Sequence, residues 1–530
     1  MNSIRRVWPS EDGLIFEVDG PGDRVIDVLV DGRRVWSFRE SAEPAPPGPL
    51  PAGAGAGCVR FQPWPVLLRP RLAGRFQVRL VAAGDDRGTE ATADLGAAPG
   101  SPELTDRFGR PLVVNKWGRL GRAIVDAGPG MVERMLDHMD DVRTLLEKHL
   151  GPAVFVTGGT LLGPVREGRV LPHDDDADLA YLSRRSHPVD VALEAFEIGR
   201  LLGAAGYEVV RLSAGHLQIH FTHEGAPDHY VDVFTGFVLD GRWHQHFAIR
   251  RAAEREDLLP PSTVLVEGRE EPAPRQPELM LEATFGPDWR TPDPSFAFRL
   301  PASTSDRFYG WFADYNVERE DWDDELLLAL HDPADEPVQI SAFGRWVHER
   351  APQGSALLEL GCGIGSDALA LAEAGHAVRA VDFSRYAVRA AQARLAGREL
   401  DVSFDVLNLL DTRQVIRLGA ELASSRQSWT VLGRRLLNAL EDRGRHNVFR
   451  LSSMLLRAGE SAYFDVVADH DYPGIHSYRH VSVPQVVAEA ADHRLVLEEA
   501  VPRLEPLRWF GQGEEQIVEM HRMTFRRRTR

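Results

Sequence analysis

The chain has 530 residues, of which 43% are hydrophobic and 26% are charged. At ~150 residues per domain, this length is too great for one hydrophobic core and fits three to four folded domains. The formal net charge of −18 excludes nonspecific nucleic-acid binding as a main function, because that binding requires a basic surface.

Cysteine content and hydropathy predict where the protein works. The two cysteines, Cys58 and Cys362, lie in different predicted domains, so neither a disulfide framework nor a structural zinc site is expected. The first residues carry no apolar signal segment, and no window reaches ~18 uninterrupted apolar residues. We therefore expect a cytoplasmic protein without a transmembrane segment, which meets the inner membrane face only through its acceptor.

Residues 1–100 are predicted to form a small all-β domain, either a sandwich or a barrel. Short segments at 14–18, 25–30 and 75–81 alternate apolar and polar residues, and Asp31-Gly32 is typical of a hairpin turn. The role of this domain is left open. Three aromatic side chains could line a sugar-binding face, although packing in the core is the favoured interpretation: Trp36, Trp64 and Phe76.

A linker at 97–102 precedes the second predicted domain. Apolar residues recur at helical spacing from Met131 to Leu146, and Gly151 fits the C-terminal cap of that helix. The run from Ala153 to Val156 then predicts a buried strand.

Glycines and aspartates follow this strand in a pattern that indicates phosphate chemistry. Gly158 and Gly159 have no Cβ, so backbone amides there can approach a phosphate closely. Asp174, Asp176 and Asp178 are spaced by two and would share one face of an extended chain. Because these carboxylates repel one another, they predict a bound cation, for which Mg²⁺ or Mn²⁺ is suited. The combination is what phosphoryl transfer from a nucleotide requires.

A further acid lies on a later predicted strand. After a helix over 188–202, residues 217–221 and 230–234 are predicted strands, and Asp232 points away from Val231 and Val233. An acid inside an apolar strand is costly without a partner, which metal coordination beside Asp176 and Asp178 would supply. The alternative is an edge-strand residue that faces water.

Together these motifs resemble the LicD family, over roughly residues 105–300. The resemblance rests on residues 158–163, Arg166, residues 174–178, the strand around Asp232 and the ending Phe285-Gly286-Pro287-Asp288-Trp289. It implies an α+β nucleotidyltransferase fold, as in phosphocholine transferases of bacterial surface glycans and in fukutin-related ribitol-phosphate transferases. His173 departs from the aromatic residue that many members carry there.

The resemblance also implies roles for individual residues. The catalytic carboxylates would be Asp176, Asp178 and Asp232, and the metal ligands would be Asp174, Asp176, Asp178 and Asp232. The nucleotide would be bound by Gly158, Gly159, Thr160 and Arg166, with a surface position as the alternative for Arg166. A sugar or polyol hydroxyl would attack a CDP-linked donor and release CMP, with Asp232 as a candidate base. Three nearby histidines are interpreted as structural or solvated: His216, His220 and His223.

A second glycine motif begins at residue 356. An apolar strand runs into Glu359-Leu360-Gly361-Cys362-Gly363-Ile364-Gly365, and the next strand ends in Asp382, about twenty residues later. Glycines at such a turn let the backbone approach a cofactor, and the acid can bind a ribose diol. This Gly-x-Gly-x-Gly spacing differs from the dinucleotide pattern Gly-x-Gly-x-x-Gly.

The second motif resembles class I S-adenosylmethionine-dependent methyltransferases, over residues 335–510. The resemblance implies that S-adenosylmethionine contacts Glu359, Gly361, Gly363 and Gly365 at its methionine part, Asp382 at its ribose and Asn408 at its adenine. Asn438 departs from the histidine that relatives often carry. Candidate bases for methyl transfer are His446, His476 and His480, and a cofactor-free relic of the fold is the alternative.

The predicted architecture is therefore multidomain: an N-terminal all-β domain, an α+β nucleotidyltransferase-fold domain and a C-terminal α/β Rossmann-like methyltransferase domain. Residues 301–334 are expected to be a connector and residues 511–530 a tail. The favoured function is a bifunctional transferase acting on a cell-surface glycan or its precursor. The alternatives are a tailoring enzyme for a soluble secondary metabolite and a non-catalytic glycan-binding scaffold. The sequence does not define the oligomeric state.

Overall fold

A computed structural model divides the chain into two compact units, Met1–Asp314 and Tyr315–Arg530. The structure describes all residues except 1–3, 21, 41–49, 54–57, 83–87, 97–100, 116–117, 125–129, 173, 175, 247–248, 294–295, 297–300, 317–318, 328–331, 426, 468–478, 509–514 and 529–530. In the part that it describes, no helix combines the length and the apolar character needed to cross a bilayer.

The first unit begins with strands, in antiparallel pairs. They are β1 (Ile4–Pro9), β2 (Gly13–Val18), β3 (Val25–Val30), β4 (Arg33–Arg39), β5 (Cys58–Pro63), β6 (Gly74–Ala82) and β7 (Gly88–Leu95). Two sheets result, with the orders β1-β2-β5 and β4-β3-β6-β7. Asp31 and Gly32 both have positive φ in the β3–β4 turn, which explains the Asp-Gly sequence there. The aromatic rings of Trp36, Trp64 and Phe76 are buried, as the core interpretation predicts.

The remainder of the first unit mixes helices and strands. Its strands are β8 (Val113–Val114), β9 (Leu120–Gly121), β10 (Val154–Val156), β11 (Asp176–Leu182), β12 (Glu208–Ser213), β13 (His216–His223), β14 (Ala226–Leu239), β15 (Arg242–Gln245), β16 (Ile249–Ala252), β17 (Ser262–Val266) and β18 (Arg269–Ala273). Its helices are α1 (Met131–Leu150), α2 (Gly158–Glu167), α3 (Pro188–Ala204), α4 (Arg255–Leu258), α5 (Pro277–Phe285) and α6 (Ala302–Phe312).

A seven-stranded sheet organises this region. Five strands run in the order β10-β11-β14-β13-β12, and β15 and β16 extend from β14. The buried face of α1, which includes Met135, Met139 and Val142, belongs to the same core as β11 and β14. Helix α1 is followed by Gly151, whose positive φ is that of the predicted C-terminal cap. Because β11 and β14 are parallel neighbours in register, Asp178 lies directly beside Asp232.

The second unit has a Rossmann-like layout. Its strands are β19 (Ala356–Leu360), β20 (Ala377–Asp382), β21 (Val402–Val406), β22 (Trp429–Gly433), β23 (Ser461–Val467), β24 (Leu495–Arg508) and β25 (Glu515–Arg527). Its helices are α7 (Arg319–Leu327), α8 (Ala342–His348), α9 (Ser366–Glu373), α10 (Arg385–Leu395), α11 (Thr412–Ser424), α12 (Leu436–Ala439), α13 (Asp442–Leu455) and α14 (Val483–Asp492). The sheet order is β21-β20-β19-β22-β23-β25-β24.

Two expectations about segments are corrected. Residues 511–530 were expected to be a tail, but residues 515–527 form β25, which lies between β23 and β24 and pairs antiparallel with both. Buried Phe525 packs against Phe464 and Phe449, so this strand is part of the core. Residues 301–334 contain packed helices rather than a bare connector: α6 packs on α3 in the first unit, and α7 packs on α10 in the second.

Candidate functional site

The glycine turn of the first unit is shaped by the aspartates that face it. A Cβ on Gly159 would lie within 3.0 Å of Asp174 Oδ2, and one on Gly158 would lie equally close to Asp178 Oδ2. The Gly159 N–H donates a 2.7 Å hydrogen bond to Asp178 Oδ2, and the Asp178 N–H donates to Thr160 Oγ1 at 2.8 Å. The turn at the start of α2 therefore holds a carboxylate in place, a contact that sequence analysis did not foresee.

Three predicted metal ligands come together beside this turn. One carboxylate oxygen from each of Asp174, Asp176 and Asp178 lies within 4.8 Å of the other two. All three side chains are buried, each with at most 7% of its surface exposed. Burying three negative charges together is costly unless a cation compensates them, and an all-oxygen donor set fits Mg²⁺ or Mn²⁺. His173 lies outside the described residues.

Asp232 occupies the neighbouring strand but is not a member of that group of mutually close ligand atoms. Its Oδ1 lies 2.8 Å from Nε2 of buried His216. Burial lowers the pKa of His216 to about 3, so its imidazole is neutral and can donate to the carboxylate through Nε2–H. The ring of His246 follows, 5.4 Å from that of His216 between centroids. His216 thus fixes the orientation of Asp232.

The other predicted residues of this unit have contacts that do not define a phosphate site. Arg166 donates to the carboxylate of Glu167 at 2.6 Å and to the Trp289 carbonyl at 3.3 Å. His220 Nε2 lies 3.1 Å from the Gln218 side-chain oxygen, and His223 is exposed. The contact of Arg166 with the donor phosphates therefore stays a prediction.

In the second unit, the glycine turn follows β19. Gly361, Gly363 and Gly365 all have positive φ, a backbone conformation that side chains with a Cβ rarely adopt. Asp382 ends β20, and its carboxylate accepts hydrogen bonds from the Gly363 N–H at 2.9 Å and the Ser384 N–H at 2.8 Å. Burial raises the pKa of Asp382, which these two backbone bonds partly oppose. The acid is therefore held at the edge of the glycine turn, where a ribose diol could reach it.

Glu359 lies on β19, directly before this turn. Burial, followed by the charge of Asp367, raises its pKa well above the usual range. Within the described residues, its buried Oε2 accepts no hydrogen bond. A cofactor that brings a hydrogen-bond donor would satisfy this oxygen. In the same turn, a Cβ on Gly363 would meet nothing within 4 Å, which leaves space for a bound group. The residues present therefore fit S-adenosylmethionine.

Two asparagines serve the fold. The Asn408 amide donates to the Tyr315 carbonyl at 2.6 Å, and its oxygen accepts from the Leu410 N–H at 2.9 Å. Fully buried Asn438 donates to the Val467 and Arg479 carbonyls. The contact of Asn408 with adenine thus stays a prediction. Asn438 connects α12 to β23 by a hydrogen bond.

Of the three predicted methyltransferase bases, one is engaged elsewhere. His446 Nδ1 lies 3.0 Å from His493 Nε2. His480 is exposed, and His476 lies outside the described residues.

Asp323, which was not predicted as a site residue, lies beside the methyltransferase site. Its carboxylate accepts a hydrogen bond from the Ser384 hydroxyl, next to Asp382, and burial raises its pKa. Asp323 lies on α7, in the acidic segment expected to be a connector. The apolar residues that flank this acidic run could have indicated a packed helix there.

Comparison with protein families finds two domains. The model described as LicD/FKTN/FKRP, nucleotidyltransferase domain, matches residues 151–276, and the model described as methyltransferase domain matches residues 357–419. The comparison with curated proteins gives no match.

Solved structures similar to the chain include three methyltransferases. A SAM-dependent methyltransferase from Anabaena variabilis is 12% identical, with a TM-score of 0.32 over 40% of this chain and 95% of its own. One from Methanosarcina mazei is 15% identical, with a TM-score of 0.27 over 34% and 97%. A TehB-like enzyme from Corynebacterium glutamicum is 19% identical, with a TM-score of 0.26 over 36% and 89%.

The two domain matches coincide with the two glycine turns and their acidic partners. The chain is therefore a fusion of a LicD-type nucleotidyltransferase domain with a methyltransferase domain.

Proposed function

We propose that this bifunctional transferase modifies a cell-surface glycan or its precursor. The LicD-type centre would transfer a phospho-substituent from a CDP-linked donor to a sugar hydroxyl, and the second centre would add a methyl group from S-adenosylmethionine. The observation that carries the first activity is the group formed by Asp174, Asp176 and Asp178, held beside the glycine turn. Fusion of the two centres would keep one polymer end at a high local concentration for both reactions.

The metal ligands in this proposal are Asp174, Asp176 and Asp178. When bound, Mg²⁺ or Mn²⁺ supplies charge neutralisation for the phosphate oxygens of the donor. The glycine turn orients the ligands, because the Gly159 N–H binds Asp178 and the absence of a Cβ leaves room for Asp174. Gly158, Gly159, Thr160 and Arg166 are proposed to contact the nucleotide.

Asp232 is proposed to receive the proton of the acceptor hydroxyl and to complete the carboxylate set. Its position beside Asp178 in the β11–β14 register puts both side chains on one face of the sheet. The hydrogen bond from neutral His216 holds the Asp232 carboxylate in one orientation.

For methylation, the chain would hold the cofactor through Glu359, the three glycines of the turn and Asp382. S-adenosylmethionine supplies an activated methyl group when it is bound. The protein aligns donor and acceptor, because methyl transfer is a displacement whose rate depends on orientation. Asn408 is proposed to lie by the adenine.

Titration calorimetry with CDP-choline tests the first activity. We expect binding in the presence of Mg²⁺, and its loss with EDTA or in Asp176→Asn. Equal binding with and without Mg²⁺ would refute metal-dependent transfer. A complete lack of binding would favour the glycan-binding scaffold. Comparing donor turnover with lipid-linked glycan and with small amino sugars separates the glycan substrate from a soluble metabolite.

A further inference from the structure

Three arginines from three elements surround one histidine in the first unit. Arg250 on β16 lies directly opposite His244 on β15, and Arg242 lies two residues before His244, on the same face of the strand. From α6, the Trp311 ring lies 5.2 Å from the His244 ring, and the guanidinium carbon of Arg307 lies 5.9 Å from the Trp311 ring. We call Arg242, Arg250 and Arg307 the arginine cluster.

The arginine cluster has no acidic partner within the described part of the chain: none of its guanidinium groups forms an ion pair there. The adjacent Arg251, by contrast, pairs with Glu282 at 3.1 Å. Desolvation and the charges of Arg307 and Arg242 lower the pKa of Arg250. Burial and the charges of the three arginines lower the pKa of His244 to about 4. In a chain of net charge −18, this is an uncompensated positive site.

Buried aromatic rings lie between the arginine cluster and the candidate metal site. Phe308 of α6 lies 6.1 Å from His244 and 5.9 Å from His246, between ring centroids. His246 lies against His216, which binds Asp232. The cluster lies on the other side of β15 from the glycine turn, because the next residue, Gln245, donates to Thr157 Oγ1 at 3.1 Å. It is therefore separate from the residues proposed to bind the donor.

We propose that the arginine cluster binds a phosphate or diphosphate group of a sugar-linked ligand. The cluster lies on the face of β15 opposite to the face that Asp232 shares with Gln245, so the inference goes beyond the proposed function and is separate from it. Guanidinium groups match phosphate oxygens in geometry and charge, and three of them suit a doubly or triply charged group better than a single carboxylate. Trp311 adds a flat apolar surface beside the charges, which suits a sugar ring attached to the phosphate.

Inorganic pyrophosphate, titrated into the full chain in buffer with EDTA, tests this site. EDTA removes metal-mediated binding at the aspartates, so that the arginines are measured alone. We expect one pyrophosphate-binding site in the wild type. In the double variant Arg250→Gln, Arg307→Gln, the affinity should fall by roughly tenfold or more, because charge-assisted hydrogen bonds are lost. Arg251→Gln is the matched control and should bind as the wild type does. Absence of binding in the wild type, or equal binding by the double variant, would overturn the inference.

A second arm distinguishes the source of the phosphate. In a flotation assay with vesicles that contain phosphatidylglycerol, the same fraction of wild-type protein and of the double variant should float with the vesicles. Binding to vesicles that depends on Arg250 and Arg307, without pyrophosphate binding, would instead identify a membrane surface and overturn the proposal. The Asp176→Asn variant should bind pyrophosphate as the wild type does. The two proposals are therefore tested separately: failure of Mg²⁺-dependent CDP-choline binding would reject the proposed function, and pyrophosphate binding at the arginine cluster would still stand.

Discussion

Gly159 lies so close to Asp174 that no side chain fits between them without movement of the carboxylate. We expect Gly159→Ala to lower Mg²⁺ affinity by ~10–100-fold, as is typical when the groups that orient a ligand are disturbed. Calorimetry with Mg²⁺ and CDP-choline measures the change. Gly203→Ala is the control, because a Cβ there meets nothing within 4 Å and the residue lies on α3. Unchanged affinity in Gly159→Ala would show that Asp174 does not bind the metal.

Asp382 accepts two backbone hydrogen bonds and faces the glycine turn of the methyltransferase domain. In Asp382→Ala we expect affinity for S-adenosylmethionine to fall by about tenfold or more, because a charge-assisted bond to the ribose is lost. Phosphotransfer should be intact, since Asp382 and the aspartate cluster belong to different compact units. Exposed Asp401, changed to Ala, is the control. Equal loss of both activities would argue for one shared site.

Some of the individual residues of each site could be predicted from the sequence. The spacing of Asp174, Asp176 and Asp178 places them together in any extended chain, and the glycine spacing predicts the second turn. The bond between His216 and Asp232 could not be predicted, because it joins two strands whose register is fixed by the whole sheet. The same holds for His246, which lies beside His216 only through the β14–β15 pairing.

At the scale of elements, β25 is the clearest difference between sequence and structure. Its C-terminal arginines suggested a solvated tail, and the exposed Ile517 obscures the alternation of buried Val518 and Met520. Arg522 is buried because it pairs with Glu505 on β24. The central parallel strands, in contrast, were predicted because buried parallel strands read as continuous apolar runs.

The role of β25 in the core leads to a stability prediction. We expect Phe525→Ala to destabilise the second unit by ~3–5 kcal/mol, since it removes a fully buried ring between Phe464 and Phe449. Hydrogen exchange of peptides from β23 and β25 in the full chain measures the loss of protection. Ile517→Ala, at a site that is 66% exposed, should change little. Identical exchange in both variants would support a tail.

For the whole molecule, acid should destabilise the first compact unit through its buried histidines. His244 is buried and its pKa is lowered to about 4, so the folded first unit binds fewer protons there than the unfolded chain, whose histidine pKa is about 6.5. The stability of this unit should therefore fall as pH decreases from 6.5 to 4. Denaturation followed by exchange of first-unit peptides measures the slope.

His244→Phe should reduce this pH dependence but not remove it, because burial also lowers the pKa values of His216 and His246 in this unit to about 3. The substitution keeps the stacking on Phe237, whose ring centroid lies 5.1 Å from that of His244. His149, an exposed histidine on α1, provides the control when changed to Phe. A slope that is unaltered in His244→Phe would mean that other groups govern acid sensitivity.

The presence of a LicD-type domain and of a methyltransferase domain could be predicted from the sequence, because each has a glycine turn after a buried strand. The division into two compact units could not, since it depends on which helix each part of residues 301–334 packs against.

Buried aspartates on β11 and in the segment before it are expected to bind a divalent cation. Electron paramagnetic resonance of Mn²⁺ titrated into the full chain tests this binding most directly, with Asp190→Asn on the exposed side of α3 as the control. We predict one tight Mn²⁺ site in the wild type and the control, and its loss in Asp178→Asn. Wild-type protein that binds no Mn²⁺, or Asp178→Asn protein that binds it unchanged, would contradict the account.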